Sequence, residues 1–299
     1  MALTGLKSGL HPGIQQGIKT GFGHSPMRVG LVSGIKESVT NKDKIQDPTE
    51  LTGIKKPYVF YTADSIPVDS SNINTSLSIT NLITGFNDLY ETSNPQIVFN
   101  SGTTSLPPDD FFNLHRTIDH TTGTKFIGCG TLQTPFNFCV GASFTFVCKP
   151  ITTGTGVLCQ RGNGTGASYS TITIEGGNRV KVLFTDSSVN TIFYESNVGS
   201  MQIGRYDLVT VVLRYAKPTG AGSEVEIYIN GQNQTNYVSG SFVGSSGDFI
   251  SGAAWIGATA TGTNASTYIA STLISEYAYS PIERIRLENY FRWYYGRNF

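Results

Sequence analysis

Two glutamates, Glu224 and Glu226, stand one residue apart in the stretch Glu224-Val-Glu-Ile-Tyr-Ile229, and in a strand that spacing puts both carboxylates on one face. Paired carboxylates are the machinery of glycoside hydrolysis, in which acid and nucleophile flank one bond at about 5 Å. No third acid accompanies this pair, and the alternation of acidic and apolar residues reads as the solvated face of a strand. His115, Asp119 and His120 form a second candidate, for acid–base or metal chemistry, in a polar stretch with no third ligand beside them. The cysteines Cys129, Cys139, Cys148 and Cys159 follow one another without any CxxC spacing, which argues against a zinc site. They read as reduced, buried strand thiols, with a disulfide between neighbouring strands as the alternative. The expectation from these residues is no catalysis, no metal and no cofactor.

The elements that carry these side chains read as strands. The chain has 299 residues with 34 Gly, 17 Phe and 15 Tyr but only 14% charged residues, a composition of strands and turns rather than helices. Lys plus Arg equals Asp plus Glu at 21 each, so the basic excess of a nucleic-acid binder is missing. Aromatic residues over 57–68 open the globular part, followed by strand candidates at 95–100, 125–129, 143–149, 156–159, 168–175 and 179–185. Residues 206–215 and 224–229 alternate most clearly, Asn230-Gly231 turns the chain, and 254–257 and 271–279 complete the set. One helix is expected at the end. Ser280 caps it, Pro281 takes its first position and Glu283 completes a capping box. Ile282, Ile285, Leu287, Tyr290, Phe291 and Tyr294 give it an apolar stripe, and Gly296 ends it.

The first residues behave differently. Glycine followed by a bulky apolar residue recurs in a tetrad beat at Gly5-Leu6, Gly9-Leu10, Gly13-Ile14, Gly17-Ile18 and Gly21-Phe22, and again at Gly30-Leu31 and Gly34-Ile35. Glycine at every fourth position costs a solvated helix about 1 kcal/mol each relative to alanine, and the apolar residues are too sparse to bury one another. The spacing also matches small-xxx-small membrane helices, but Lys7, His11, Pro12, Gln15, Gln16 and Lys19 break every apolar run of membrane-spanning length. Residues 1–55 therefore read as an extended arm that orders on a partner surface through Leu6, Leu10, Ile14, Ile18, Phe22, Leu31 and Ile35. A low-complexity tail without a partner is the alternative. With neither a signal-peptide pattern nor a membrane span, synthesis in the cytosol is expected.

Together, Phe144-Thr-Phe-Val147, Tyr228-Ile-Asn-Gly231, Trp255-Ile-Gly257, Leu273-Ile-Ser-Glu-Tyr277 and the closing Ser280-Pro-Ile-Glu-Arg284 to Tyr290-Phe-Arg-Trp-Tyr-Tyr-Gly296 resemble the concanavalin A-like, laminin-G-like jelly roll found in phage structural proteins. Asn87-Asp-Leu-Tyr90 is similar to the loop that introduces this fold. The resemblance covers 56–299 and implies an all-β jelly-roll sandwich with a C-terminal helix. Glycosidases on this scaffold carry Glu-x-Asp-x-x-Glu, and no such run occurs in the chain. Its lectin-like members bind calcium through loop oxygens. Asp186, Asn190, Asn163 and Asn264 lack that spacing. Tyr169 and Tyr194 are the candidate sugar platforms, while Trp255 reads as core.

Arm and sandwich together suggest a virion component made in the host cytoplasm: a capsid decoration, cement or head-fibre protein bound to the major capsid protein or another virion protein. A receptor- or glycan-binding tail adhesin is the alternative. A homo-oligomer, a trimer by expectation, is implied for either, with no nucleic-acid or membrane partner. Deleting residues 2–24 is expected to leave a soluble domain that no longer joins particles, measured by co-sedimentation. Undiminished incorporation would contradict the anchoring reading.

Overall fold

A computed structural model describes residues 45–52, 55–57, 59–65, 82, 115, 117–119, 127–129, 141–161, 169–185, 191–214, 225–240, 254–257, 266–275, 277–296 and 299. The chain divides into two compact units, Met1–Ile45 and Gln46–Phe299. The second unit is an all-β jelly-roll sandwich of two antiparallel sheets closed by one helix. No helix among the described residues is long and apolar enough to cross a membrane.

The first sheet runs in the order β1 (Val59–Thr62), β14 (Thr267–Ser275), β4 (Ala142–Pro150), β9 (Asp207–Leu213), β10 (Val225–Ile229) and β11 (Gln232–Asn233), with β2 (Ile118–Asp119) also pairing β14. The second runs β12 (Thr235–Gly240), β8 (Thr191–Ser196), β7 (Arg179–Thr185), β6 (Tyr169–Glu175), β5 (Gly156–Arg161), β13 (Ala254–Ile256) and β3 (Ile127–Cys129). Asn230 and Gly231, both at positive φ (55° and 82°), make the tight turn from β10 to β11, as an Asn-Gly pair should.

The two sheets differ in what their sequences bury. In β7 and β8 burial alternates with solvent contact along each strand, the pattern of a sheet with one wet face. Every residue of β1, β4 and β9 is buried. Alternate side chains of these strands enter two separate cores: Val59, Tyr61, Phe144, Phe146, Val209 and Val211 face the second sheet, whereas Phe60, Val147 and Leu208, with Ala270 and Leu273 of β14, face the helix. Near-continuous apolar runs in the sequence are thus the mark of a sheet covered on both sides.

The covering element is α1, Pro281–Tyr294. Its capping box forms in full: the Glu283 backbone N–H donates to the Ser280 side chain, and the Glu283 carboxylate accepts from the Ser280 N–H. Leu287, Tyr290, Phe291 and the following Tyr295 build the second core, with Phe60 edge-on to Tyr290 at 6.0 Å and to Phe291 at 6.1 Å. Gly296 at φ +59° ends the helix. Ile282 departs from the expected stripe. It is 50% exposed, because the face that packs is carried by positions 284, 287, 288, 290 and 291.

Arg284 and Glu288 lie buried on the same helix, 2.6 Å apart, with the guanidinium 3.6 Å from the Tyr228 ring centre. Three residues ahead of β1 meet the helix and its core: the Gln46 N–H donates to the Arg286 carbonyl at 3.2 Å, Leu51 packs on the second core and Lys55 pairs with Glu283. Burial raises the Glu283 carboxyl, but hydrogen bonds from Lys55 and Ser280 outweigh it, so the group lies below its ordinary value. A depressed carboxyl contributes stability that is present above its unfolded pKa and lost as pH falls through the folded one.

Two outcomes follow for this helix. Phe291→Ala is expected to destabilise the protein by about 3–5 kcal/mol, read by chemical denaturation. The stability gap between the wild type and Glu283→Gln should be present at neutral pH and shrink below about pH 4, and a gap independent of pH would contradict the Lys55–Glu283–Ser280 arrangement.

Candidate functional site

Three strands of the second sheet present one polar face to solvent. The outward residues of β6, β7 and β8 are Thr171, Thr173 and Glu175, then Arg179, Lys181 and Leu183, then Thr191, Phe193 and Glu195, all partly exposed except the more buried Thr173. Register aligns them in cross-strand rows, with Thr173 opposite Lys181 and Lys181 opposite Glu195. The next row sets Thr171 opposite Leu183 and Leu183 opposite Phe193. Arg179 donates to Glu195 at 2.8 Å and Lys181 to Glu175 at 3.0 Å, while the Lys181 ammonium lies 4.5 Å from the Phe193 ring centre. The result is a platform of one partly buried ring with the Lys181 ammonium against it, flanking hydroxyls, and charged groups whose positions are fixed by their pairs. Such surface pairs add little to stability; their effect is to orient donors and acceptors.

A second cluster lies at the C-terminal end of α1. Asp64 Oδ2 accepts from His115 Nδ1 at 2.5 Å and from the Tyr294 hydroxyl at 3.1 Å. The imidazole lies 4.6 Å from the Tyr294 ring and 4.9 Å from the Tyr295 ring. A carboxylate on Nδ1 fixes the imidazole's orientation, as in general-base sites. Covalent catalysis would further need a hydroxyl or thiol nucleophile on the imidazole, and among the described residues none is hydrogen-bonded to it. The cluster ties β1, residue 115 and the helix end together. Burial pushes the Tyr294 hydroxyl up, and pushes Tyr295 well up.

The sequence-derived candidates distribute as follows. Leu6, Leu10, Ile14, Ile18, Phe22, Leu31 and Ile35 lie outside the described residues, as do Glu224, His120, Asp186, Asn190, Asn163 and Asn264. Glu226 accepts from Arg214 at 2.8 Å and from the Tyr228 hydroxyl at 3.2 Å, a paired surface carboxylate. His115 takes its acid from Asp64, 51 residues upstream, a partner that proximity in sequence does not offer. Tyr194 is corrected as a sugar platform: it is fully buried in the core between the sheets, because β8 turns Phe193 and not Tyr194 outward. The alternation in Thr191-Ile-Phe-Tyr-Glu-Ser196 was the available signal. Cys148 and Cys159 are both buried. Among the described residues no three His, Cys, Asp or Glu side chains gather as a metal site.

No protein-family model matches the chain, and no curated protein sequence matches it. Among solved structures, Trypanosoma rangeli sialidase in complex with sialic acid aligns over 91% of this chain and 40% of its own, with a TM-score of 0.51 and 10% identity. The chain thus spans well under half the length of that enzyme. The sialidase CBM40 domain of Ruminococcus gnavus bound to alpha2,3 sialyllactose aligns over 50% of this chain and 83% of its own, at 0.39 and 14%. The botulinum neurotoxin serotype G binding domain aligns over 56% and 40%, at 0.40 and 13%. At these identities the likeness extends to the β-sandwich fold alone.

A pH titration tests the helix-end cluster. Tyrosines with raised folded values add stability that is present below the unfolded pKa of about 10 and lost as pH rises through the folded values. Ultraviolet titration is therefore expected to show Tyr279, Tyr290, Tyr294 and Tyr295 ionising late, above the ordinary tyrosine range, together with unfolding. Early, non-cooperative ionisation of all tyrosines would contradict their burial.

Proposed function

We propose that the protein is a non-catalytic glycan-binding module of a virion-associated adhesin, attached to its particle by the N-terminal arm. The observation that carries this reading is the outer face of β6, β7 and β8. A sugar ring needs an apolar plane for its C–H face and fixed donors and acceptors for its hydroxyls. Phe193 supplies the plane; Lys181, Arg179, Glu195, Thr171 and Thr191 supply the polar groups, all from strands rather than loops. A weak, multivalent mode suits a shallow face, since even a few copies grouped at one tail tip multiply a modest single-site affinity. The sialidase and toxin neighbours share the fold without lending it their ligands.

A capsid decoration or cement role is the second reading, favoured by the regular Gly-apolar tetrads of residues 5–35, which fit repeated pockets on a lattice better than a single tail socket. Copy number separates the two: hundreds of copies over a head in particle images favour decoration, a few at a tail tip favour the adhesin.

The glycan reading is tested on an array of host-surface glycans, followed by titration of the strongest binder. Phe193→Ala is expected to weaken binding at least about tenfold, some 1.4 kcal/mol, with a smaller loss of stability than Phe291→Ala because the Phe193 ring is only partly buried. Absence of binding to every glycan, or full binding by Phe193→Ala, would contradict the assignment of this face.

A further inference from the structure

The charged groups on the outer face of β6, β7 and β8 are already engaged with one another. The three strands carry two cations and two carboxylates, and no other charged side chain. Arg179 donates to Glu195 at 2.8 Å and Lys181 to Glu175 at 3.0 Å. All four side chains keep between 21% and 30% of their surface in solvent, so an incoming ligand can reach them. The Lys181 ammonium is held a second time, 4.5 Å from the Phe193 ring centre, and Glu175 also accepts from the Thr173 hydroxyl at 3.4 Å.

The rest of the face is uncharged. The row of Thr171, Leu183 and Phe193 reaches β12, where register sets Ser239 opposite Phe193 and a bulge leaves Val238 43% exposed. The row of Thr173, Lys181 and Glu195 ends at the exposed Asn236, whose side-chain amide donates to Asn197 at 2.8 Å. Four strands spaced about 4.8 Å apart make each row roughly 14 Å across, wider than a single sugar ring. An anionic sugar set here must draw Arg179 or Lys181 from its carboxylate, or lie against Glu175 and Glu195 with like charges adjacent. Like charges brought together are a common means of rejecting a wrong partner. A sugar hydroxyl meets neither obstacle, because it donates to a carboxylate oxygen or accepts from an N–H while the ion pair stays closed.

We propose that this face takes uncharged oligosaccharide, built of neutral hexose or N-acetylhexosamine rings, and rejects sialylated and sulfated chains. The inference rests on the glycan reading of β6 to β8 and adds the charge class of the ligand. Glu175 and Glu195 are its specificity-determining residues: each closes off the cation that an anionic sugar would seek.

Matched probes test this with the full chain: a panel of neutral hexose and N-acetylhexosamine oligosaccharides, each beside its own sialylated or sulfated form. A neutral probe is expected to bind, and its anionic form to bind at least about tenfold more weakly. Binding of the neutral probe should change little from low to high sodium chloride. Glu175→Gln and Glu195→Gln, which release Lys181 and Arg179, should each narrow the gap between the two forms, with unchanged circular dichroism. Anionic probes bound as tightly as neutral ones, and lost in Phe193→Ala, would overturn the charge class while the glycan reading stands. Discrimination unaltered in both glutamine variants would also overturn it. Binding of neither form, or neutral binding unaffected by Phe193→Ala, would remove the glycan reading and this inference together.

Discussion

The structure depends on one constraint: the first sheet must be dry on both faces. Every residue of β1, β4 and β9 is buried, and a sheet that exposed Phe60, Val147, Leu208 and Leu273 to water would lose about 1.5–3 kcal/mol for each large side chain. The second sheet covers one side and α1 the other. Everything at the chain's end serves that closure. The capping box starts the helix, the Asp64–His115–Tyr294 cluster holds its far end, and Ser143 braces the segment before it by donating to the Tyr277 carbonyl at 2.8 Å and accepting from the Tyr279 N–H at 3.0 Å. Gly141 belongs to the same joint. At φ +96° a Cβ there would come within 2.6 Å of both Ala278 Cβ and the Leu213 carbonyl, so only glycine admits β4 beneath the approach to the helix.

A division of labour between the two sheets follows. With both faces of the first sheet occupied by core, the outward face of the second is, among the described residues, the broad strand surface left to solvent, and its alternating pattern keeps a polar row above an apolar one. That is why the glycan reading falls on β6, β7 and β8. The Asp64–His115–Tyr294 cluster has the vocabulary of acid–base chemistry, yet its ring contacts and its hydroxyl are spent on holding the helix end. Buried charge follows the same logic. Arg284 and Glu288 are retained beneath α1 by pairing with each other, and the guanidinium rests on Tyr228; breaking either side would strand its partner in the core.

Much of this was legible in the sequence because the signals were local. Ser280, Pro281, Glu283 and Gly296 specify a helix start and stop within themselves, and Asn230-Gly231 specifies its turn. The strand at 206–215 was readable from its apolar run and proved to be Asp207–Leu213. The strand expected at 271–279 lies earlier, at Thr267–Ser275, because Ser143 and the helix approach claim Tyr277 and Tyr279. Less legible were features set by partners distant in the chain. Only the alternation of Thr191, Phe193 and Glu195 with Ile192, Tyr194 and Ser196 tells Tyr194 from Phe193 as the inward residue, nothing near His115 points to Asp64, and Ile282 resembles a core residue until the packing angle of α1 turns it outward.

A ligand bound as proposed meets the outer face of the second sheet and leaves the helix-end cluster untouched. Hydrogen–deuterium exchange of the full chain, with and without the strongest glycan found on the array, tests it most directly. The account predicts added protection in peptides covering 169–185 and 191–196 and none around 59–65 or 281–295. Protection centred on Asp64, His115 and Tyr294, with β6 to β8 unchanged, would contradict it.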